Sequence, residues 1–558
     1  MKTMQLTPLG DGAVLASFSL KNDFATLDKV ARIARAFAGS SLPGVTDIVS
    51  ACTTITIHYD PARVPAGAGS PCDRVLAWVE TAAAAAGSKK TKAVREITLP
   101  VCYGGEHGPD MADVAKHTKL SEAEVIRLHS KTVYRVAAVG FAPGFPYLLG
   151  LPERLNTPRR ATPRMVVPAG SVGIGGAQTG VYPLTTPGGW CLIGRTPLRL
   201  FRPENETAPT LLEAGDMVRL VAITSKQWDQ QVEQSVPLHQ AKVSKQAAVL
   251  EVMKAGALTT IQDMGREGWQ QHGITAGGAM DRRAARVANL LLGNAEDDPL
   301  LEATLVGPEL RFLRDTWIAV TGAEVKGVAG WRPLRVSAGQ TISLVELTHG
   351  ARVYVAVAGG FDVPRVLGGA GTLLRARIGG WNGRALQVSD RLAARPTILD
   401  TKGDWSAAME FRTVGAGAVT VRFVRGTQWD WFDSASQKAL VEKPFLVTTQ
   451  SDRMGMRLSG PALKLKQERE LVSEGVGFGS VQVPSDGQPI VLMADRQTIG
   501  GYPKIAHVIA VDLPLLAQVR AGGKVTFVET SIATAQALYL EQEKSLAMFR
   551  TGVKARLG

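Results

Sequence analysis

The chain has 558 residues, a length that favours three or four domains over one hydrophobic core. Hydrophobic residues make up 45% and charged residues 20%, which is ordinary for a globular protein and excludes extended disorder. The net charge of +13 is spread along the chain without a zinc-finger spacing, an RNP-type aromatic motif or a basic helix, so we expect no nucleic-acid partner.

The cysteines and the N-terminus indicate the compartment. Cys52, Cys72, Cys102 and Cys191 are widely separated and form no CxxC pair, which argues against a disulfide framework and favours a reducing environment. The first twenty residues carry no apolar signal-peptide core, and no run of about 18 apolar residues occurs. We therefore predict a cytoplasmic protein that does not span a membrane.

Residues 1–92 predict a small α+β domain. Apolar runs predict strands at 13–18, 45–49 and 54–59, and helical spacing predicts helices at 27–38 and 74–86. Gly87 follows the second helix as a stop signal, and the lysine-bearing residues 88–92 are predicted to be a linker.

After residue 92 the pattern changes to short apolar runs separated by glycine and proline, of which the chain has 59 and 30. This pattern predicts many short strands joined by tight turns. One helix is predicted in residues 93–225, with Ser121 as its N-cap, Glu124 in the capping-box position and its end at His129. The polar residues 226–246 predict a linker. Two more β-rich domains follow at 247–400 and 401–558, the second ending in a helix over 530–546.

Two sequence patterns recur within the chain. A Gly-Gly-aromatic triplet begins at Gly188, Gly359, Gly379 and Gly500, and an Ala-Gly turn followed by an alternating strand occupies 214–220, 338–344 and 521–527. The spacing is too long and irregular for a solenoid. We interpret the repeats as three related barrel modules, one in the first half and two in the second; the alternative is that the triplet is a common turn.

The segment over 139–148 contains glycines, prolines and three aromatic residues, more than so short a loop can bury, which predicts a pocket wall. Arginines in the following Pro- and Gly-rich loops are positioned for contacts with carboxylate or phosphate. The alternative for each arginine is an ion pair in a solvated turn. The binding residues predicted in this half are Phe141, Phe145, Arg159, Arg164, Tyr182 and Arg195.

These strings, over 139–148, 158–172, 182 and 186–196, resemble carboxyltransferase subdomain C/D, also called allophanate hydrolase subunit 1, and the resemblance covers nearly all of residues 1–225. Segments 260–266, 277–281, 450–455, 482–489 and 495–502 resemble subdomain A/B, or allophanate hydrolase subunit 2. The resemblance implies a mainly β chain with an α+β part: cyclophilin-like β-barrels, one in the first half and two in tandem in the second, behind a small N-terminal α+β domain.

The same families contain the two small subunits, B and C, of bacterial 5-oxoprolinase. The resemblance therefore implies an ATP-dependent lactam hydrolase that uses Mg²⁺ and works with a separate large subunit to convert 5-oxoproline, a small anionic substrate, to glutamate. It leaves two alternatives: a urea carboxylase-type carboxyltransferase component that works with a biotin protein, and a non-catalytic regulator of a histidine kinase. Homo-oligomer formation stays open.

Several motifs are missing from the sequence. Met253-Lys254-Ala255 is not the Met-Lys-Met of a biotin acceptor, so we expect no covalently attached biotin. An amidase Gly-Gly-Ser-Ser segment and a Walker A motif are absent, and residues 173–178 fail the dinucleotide fingerprint at its last glycine. ATP is therefore expected to bind without a P-loop.

Candidate residues of the second half lie in the glycine- and arginine-flanked strings of the resemblance. The predicted catalytic residues are Asp263, Asp452, Asp495 and Arg496. The predicted binding residues are Gln262, Arg266, Asp281, Asn289, Arg453, Gln482 and Tyr502. Carboxylates beside arginine are often structural ion pairs, and Asn289 and His129 are also compatible with structural roles. No metal ligands are assigned. Segment 367–372 carries glycine and alanine where relatives show serines or arginine, which predicts weaker phosphate contacts there.

Overall fold

The computed structural model describes residues 4–18, 21, 23–86, 94–232, 247–399, 404–412 and 417–557. The N-terminal unit is a four-stranded antiparallel sheet of order β1-β2-β4-β3, with two helices packed on one face. Asp23 caps the first helix, and Ser70 forms a capping box with Asp73 at the start of the second. The elements are β1 Gln5–Pro8, β2 Ala13–Ser17, α1 Phe24–Ala38, β3 Val45–Ser50, β4 Thr54–Tyr59 and α2 Pro71–Ala85.

The first barrel follows. Its elements are β5 Glu96–Tyr103, α3 Met111–Thr118, α4 Glu122–Lys131, β6 Val133–Val139, β7 Pro146–Leu149, β8 Arg164–Val167, β9 Ser171–Gly175, β10 Gln178–Val181, β11 Thr186–Gly188, β12 Cys191–Arg195, β13 Met217–Ile223 and α5 Ser225–Gln231. Seven strands close a circuit in the order β5-β12-β9-β10-β7-β6-β13, and β5 and β13 pair in parallel. Strands β8 and β11 form a separate two-stranded sheet outside the circuit.

The middle module consists of two sheets that enclose one hydrophobic core. The sheets have the orders β20-β17-β14-β22 and β15-β16-β21-β18-β19. Its elements are β14 Ala248–Lys254, β15 Leu258–Gln262, α6 Arg282–Leu291, β16 Leu300–Thr304, β17 Glu309–Phe312, β18 Thr316–Val325, β19 Pro333–Val336, β20 Thr341–Ser343, β21 Leu347–Val357 and β22 Arg391–Ala393.

The last module is a second closed barrel followed by a long helix. Its circuit has the order β23-β30-β27-β28-β25-β24-β31, and β26 pairs with β29 outside it. The elements are β23 Ala418–Arg425, α7 Ser434–Glu442, β24 Phe445–Val447, β25 Gly455–Ser459, β26 Glu474–Gly475, β27 Ser480–Gln482, β28 Ile490–Leu492, β29 Ile499–Gly500, β30 Lys504–Val508, α8 Leu513–Ala517, β31 Lys524–Glu529 and α9 Ile532–Leu557. Short 3₁₀ turns occur at Gly105–His107, Glu153–Leu155, Gln270–His272, Met409–Phe411, Trp429–Trp431 and Ala510–Asp512.

The two closed barrels have the same topology. Numbered from its own first strand, each has nine strands, and each circuit has the order 1-8-5-6-3-2-9 with strands 1 and 9 parallel and strands 4 and 7 paired outside. The repeats at Gly188 and Gly500 fall at the end of the seventh strand in both barrels, and segments 214–220 and 521–527 contain the start of the ninth. The sequence repeat therefore marks a real duplication of these two modules.

The predicted mainly β architecture with a small N-terminal α+β unit is confirmed, whereas the middle module differs in detail from a closed barrel. There the strands divide into two separate sheets, so the circuit does not close, and the first and ninth strands, β14 and β22, pair antiparallel in one of them. The C-terminal helix runs to Leu557, eleven residues beyond its predicted end. Residues 88–92 and most of the predicted linker 226–246 lie outside the described residues, although its start lies in α5.

Hydrogen bonds and apolar clusters join the first half to the second. The carboxylate of Asp47 accepts hydrogen bonds from the backbone N–H groups of Gly268 and Gln270 and from the Gln270 side chain, each at 3.0 Å. The N–H of Gly144 donates to the carbonyl of His272 at 2.8 Å. Two buried apolar clusters contain residues of both halves, and the partly buried Val472 of the second half packs against a third cluster of the first half. The two ancestral parts are thus packed tightly rather than merely tethered.

None of the helices in the described part of the chain combines the length and apolarity that crossing a bilayer requires. All four cysteines are buried and free, as expected from their spacing.

Candidate functional site

Arg453 is the centre of a buried ion network between the middle module and the last barrel. Its guanidinium donates to both carboxylate oxygens of Asp495 at 2.9 Å, forms an ion pair with Glu302, and donates to the carbonyl of Gly278 at 2.7 Å. These charges raise the pKa of Arg453 against the opposing effect of burial. A fully paired, buried charge network of this kind favours an architectural role for Arg453 and Asp495.

The network continues through Glu302 into the start of α6. Tyr354 donates its hydroxyl proton to Glu302 at 2.8 Å, and the backbone N–H of Asp281 donates to the Tyr354 oxygen at 2.8 Å. One carboxylate oxygen of Asp281 caps α6 by accepting from the N–H of Ala284, and the other accepts from Gln518 at 3.0 Å. Asp281 thus satisfies a helix terminus and links two modules.

Other predicted residues satisfy buried backbone groups. Asp263 accepts from the N–H groups of Gly265 at 2.8 Å and Ala370 at 2.5 Å. The side-chain amide of Gln262 donates to the carbonyl of Thr372 at 3.2 Å, and that of Asn289 donates to the carbonyl of Asp298 at 2.8 Å. These contacts favour the structural reading of Asn289 and extend it to Gln262 and Asp263.

Packing explains two of the three glycines in segment 367–372, Gly369 and Gly371. A Cβ atom on Gly371 would lie 2.7 Å from a carboxylate oxygen of Asp263 and 2.9 Å from the side-chain oxygen of Gln262. A Cβ atom on Gly369 would lie 3.0 Å from the Cβ of Arg266. The absence of larger side chains therefore lets this loop approach strand β15 and the turn after it.

Arg266 and Arg496 are buried cations that contact no carboxylate within salt-bridge distance among the described residues. Arg266 donates to the carbonyl of Gly371 at 2.5 Å, and Arg496 donates to the side-chain oxygen of Gln270 at 3.2 Å. Burial lowers the pKa of both guanidinium groups, that of Arg496 to about 10, while the charge of Asp495 opposes the shift in each case.

The loop predicted to be a pocket wall meets the second half through Phe141. Its backbone has a left-handed φ of 66°, which is unusual for a phenylalanine and indicates a constrained position. The ring packs edge-on against Phe145 and Tyr182, at centroid distances of 5.4 and 6.4 Å. On its other side the guanidinium of Arg375 lies 5.8 Å from the ring centroid, a cation–π contact between the two halves.

Arg375 was not among the sequence-predicted residues, although it lies in the glycine-rich region between two Gly-Gly triplets. Its guanidinium also contacts the sulfur of Met454 at 3.0 Å. Burial lowers the pKa of Arg375, and the negative charge of Asp452 opposes that shift. Asp452 is exposed, accepts from the backbone N–H groups of Met454 and Gly455, and forms no salt bridge with any described residue.

The remaining predicted residues are dispersed. Arg164 binds Asp110 through two hydrogen bonds of 2.8 and 2.6 Å, Arg195 donates to the carbonyl of Ala169 at 2.7 Å, and Arg159 is exposed. Gln482 is buried and accepts from Gln497 at 3.3 Å, while Tyr502 is exposed. The predicted structural role of His129 fits its contacts, because both ring nitrogens have partners, Tyr103 and Thr179.

Arg375 is half-buried and lies against Phe141, whose ring packs on Tyr182, and its guanidinium interacts electrostatically with the exposed Asp452. We call these four residues the junction site. Burial raises the pKa of Tyr182 to about 12, so its hydroxyl is a proton donor at neutral pH. The junction site thus offers a half-buried cation and an exposed carboxylate beside an aromatic wall in which Tyr182 itself is buried, a combination that suits a small anionic ligand.

Comparisons with known proteins identify the two halves separately. Residues 4–212 match the model for carboxyltransferase domain subdomains C and D, and residues 272–529 match that for subdomains A and B. The B subunit of 5-oxoprolinase from Bacillus subtilis is 44% identical over 235 residues, which are 41% of this chain and 98% of that protein. The C subunit of 5-oxoprolinase from Escherichia coli K12 is 43% identical over 303 residues, which are 53% of this chain and 96% of that protein.

Solved structures support the combined arrangement. The crystal structure of TTHA0988 is 32% identical and has a TM-score of 0.79 over 92% of this chain and 99% of that one, so both halves also occur there in one chain. Urea carboxylase of Kluyveromyces lactis, at 22% identity and a TM-score of 0.52 over 71% of this chain and 37% of that chain, shares the fold. This chain belongs to the carboxyltransferase-domain family and unites in one polypeptide the counterparts of the B and C subunits of 5-oxoprolinase.

Proposed function

We propose that this chain is the fused small-subunit component of an ATP-dependent 5-oxoprolinase, which works with a separate large subunit to hydrolyse 5-oxoproline to glutamate. The observation that carries the proposal is that near full-length relatives of the B and C subunits follow one another in a single chain. The contact between Phe141 and Arg375 is consistent with it, because it joins the two halves.

Opening a lactam is difficult because the amide is a poor electrophile. Phosphorylation of the amide oxygen by ATP creates an imidate-like centre that water attacks readily. Such a step requires cationic groups near the oxygens that gain negative charge. In this chain Arg375 can face the substrate carboxylate or a phosphate, and Phe141 can exclude water from one side.

Magnesium in nucleotide sites is commonly held by one or two carboxylates together with phosphate oxygens and water. Within the described ranges, no group of three or more histidine, cysteine or acidic side chains is arranged to hold a metal ion. Asp452 is exposed and free of salt bridges to the described residues, so it fits the role of a single carboxylate ligand of a nucleotide-bound ion. Asp495 fits that role less well, because Arg453 occupies both of its oxygens.

The second candidate function is that of a carboxyltransferase component. Urea amidolyase of Saccharomyces cerevisiae is 29% identical over 335 residues, 53% of this chain but only 17% of that protein. A protein of that kind would require a biotin-bearing partner, and this sequence contains no biotin-acceptor motif. The lower identity places this candidate behind the first.

The deciding experiment measures 5-oxoproline-dependent ADP release by the purified chain, by a large oxoprolinase subunit, and by the two together. We expect turnover that depends on both proteins and on 5-oxoproline, with glutamate formed in proportion to ADP. Urea and a carboxylated biotin carrier serve as the control reaction. Turnover with urea and the carrier, and none with 5-oxoproline, would replace this proposal by the carboxyltransferase one.

A further inference from the structure

The two-stranded sheet of β8 and β11 forms an exposed flap on the first barrel, comprising residues 158–169 and 185–189. Met165 and Val166, adjacent on β8, are 81% and 64% exposed. Residues 158–169 contain three arginines and three prolines but no acidic residue. Adjacent, strongly exposed apolar side chains that are rimmed by polar residues mark surfaces that bind another protein.

The equivalent flap of the last barrel is covered. Strands β26 and β29 occupy the same places in that barrel's strand order, and the N-terminal sheet packs on them. Gly475 of β26 contacts the hydroxyl of Thr56 so closely that a Cβ would collide with it. Ile499 of β29 is buried in a cluster with Val49 and Ala51. In one of the two duplicated barrels this flap is therefore already a protein interface, whereas in the other it is open.

We propose that the flap of the first barrel is the docking surface for the separate large subunit, an inference that rests on the proposed function. The charge of the flap indicates the chemistry expected of the partner's surface. Arg160 and Arg164 bind Asp110, but Arg159 is exposed and forms no salt bridge with a described residue. The partner is expected to present apolar side chains to Met165 and Val166 and an acidic group to Arg159.

The flap also packs on the aromatic wall of the junction site. A Cβ on Gly188 of β11 would lie 2.5 Å from the hydroxyl of Tyr182, whose ring meets that of Phe141. A protein docked on the flap would therefore sit beside the residues that face the substrate and would exclude water from them. This geometry makes the flap a better place for a catalytic partner than for a second copy of this chain.

The test compares the wild-type chain with the double variant Met165→Asp/Val166→Asp in binding to a large oxoprolinase subunit, measured by isothermal titration calorimetry. The matched control is Val388→Asp/Met548→Asp, which changes residues that are 62% and 74% exposed elsewhere. We expect the flap variant to weaken binding more than tenfold, the control to bind as the wild type does, and thermal unfolding of both variants to match the wild type.

Binding of the flap variant within twofold of the wild type would overturn the inference. The inference would also be overturned if the wild-type chain self-associates through the flap while the substitutions leave binding of the large subunit unchanged. The flap would then be the contact with a second copy of this chain. The turnover of the wild-type mixture separates the two proposals. Turnover with an unaffected flap variant contradicts only the docking surface, whereas a wild-type chain without binding or turnover contradicts both.

Discussion

Truncation of Arg453 to alanine would leave the carboxylates of Asp495 and Glu302 buried without a counter-charge. It would also remove the hydrogen bond to the carbonyl of Gly278. Removing one partner of a buried ion pair costs about 3–5 kcal/mol, and here two carboxylates lose the same partner. We therefore expect Arg453→Ala to destabilise the second half by about 4 kcal/mol or more, which for a domain of this size lowers its Tm by about 8–16 °C.

Thermal unfolding followed by calorimetry checks this expectation. Arg457→Ala is the matched control, since Arg457 is exposed on the neighbouring strand β25. The triple variant Glu302→Gln/Arg453→Met/Asp495→Asn removes all three charges and should recover at least half of the lost stability. If Arg453→Ala changes the Tm by less than about 3 °C yet abolishes turnover, the architectural assignment of the network is wrong and its residues act in catalysis.

Three further predictions follow from interfaces, titrations and packing. Cleavage at a protease site inserted within 226–246 should leave the two halves associated in gel filtration, because Asp47 and three apolar clusters join them. Elution as separate fragments would refute a tight interface. Acid should destabilise the protein between pH 6.5 and 4, because burial lowers the pKa of four histidines to about 3 or 4, so they gain protons only on unfolding. The raised pKa values of Asp11 and Asp47, about 6, act in the opposite direction, since the folded state holds those two protons more tightly than the unfolded state. Unfolding thus takes up about two protons in net, which lowers the free energy of unfolding by about 2–3 kcal/mol for each pH unit of acidification. A Tm that stays constant or rises from pH 6.5 to 5 would contradict this prediction. The four histidines whose pKa is lowered by burial are His58, His129, His272 and His507. Gly371→Ala should lower the free energy of unfolding by about 1–3 kcal/mol, because the new Cβ collides with Asp263. The control Gly552→Ala has open space on α9 and should cause no loss of stability measurable by chemical denaturation. Equal stability of the two variants would show that the loop moves to accommodate the methyl group.

The architecture was largely predictable because its signals are local and repeated. Alternating apolar runs and glycine turns marked the strands, and the repeats at Gly188 and Gly500 fall at corresponding places in two barrels of identical strand order. The middle module could not be predicted at the same level. Whether its strands close a circuit depends on pairings such as β14 with β22, which are more than a hundred residues apart and leave no short-range pattern.

The site was harder to predict because a sequence shows which residues are charged but not which charges neutralise one another. Arg453 and Asp495 looked like ligand-binding residues, yet the fold pairs them with each other and with Glu302 across 151 positions. Arg375 has no distinctive neighbours in the sequence and becomes notable only because Phe141, from the other half, lies against its guanidinium. A composite site depends on contacts of this kind, which only the folded chain reveals.

The most direct test of the central claim, that the junction between the halves positions the substrate, is the kcat/KM for 5-oxoproline of Arg375→Gln in the presence of the large subunit. Lys443→Gln is the matched control, since it removes an exposed cation at the end of α7. We predict a loss of at least a hundredfold for Arg375→Gln, about 2.7 kcal/mol of transition-state stabilisation, and less than a threefold change for the control. Equal activity of the two variants would contradict the claim.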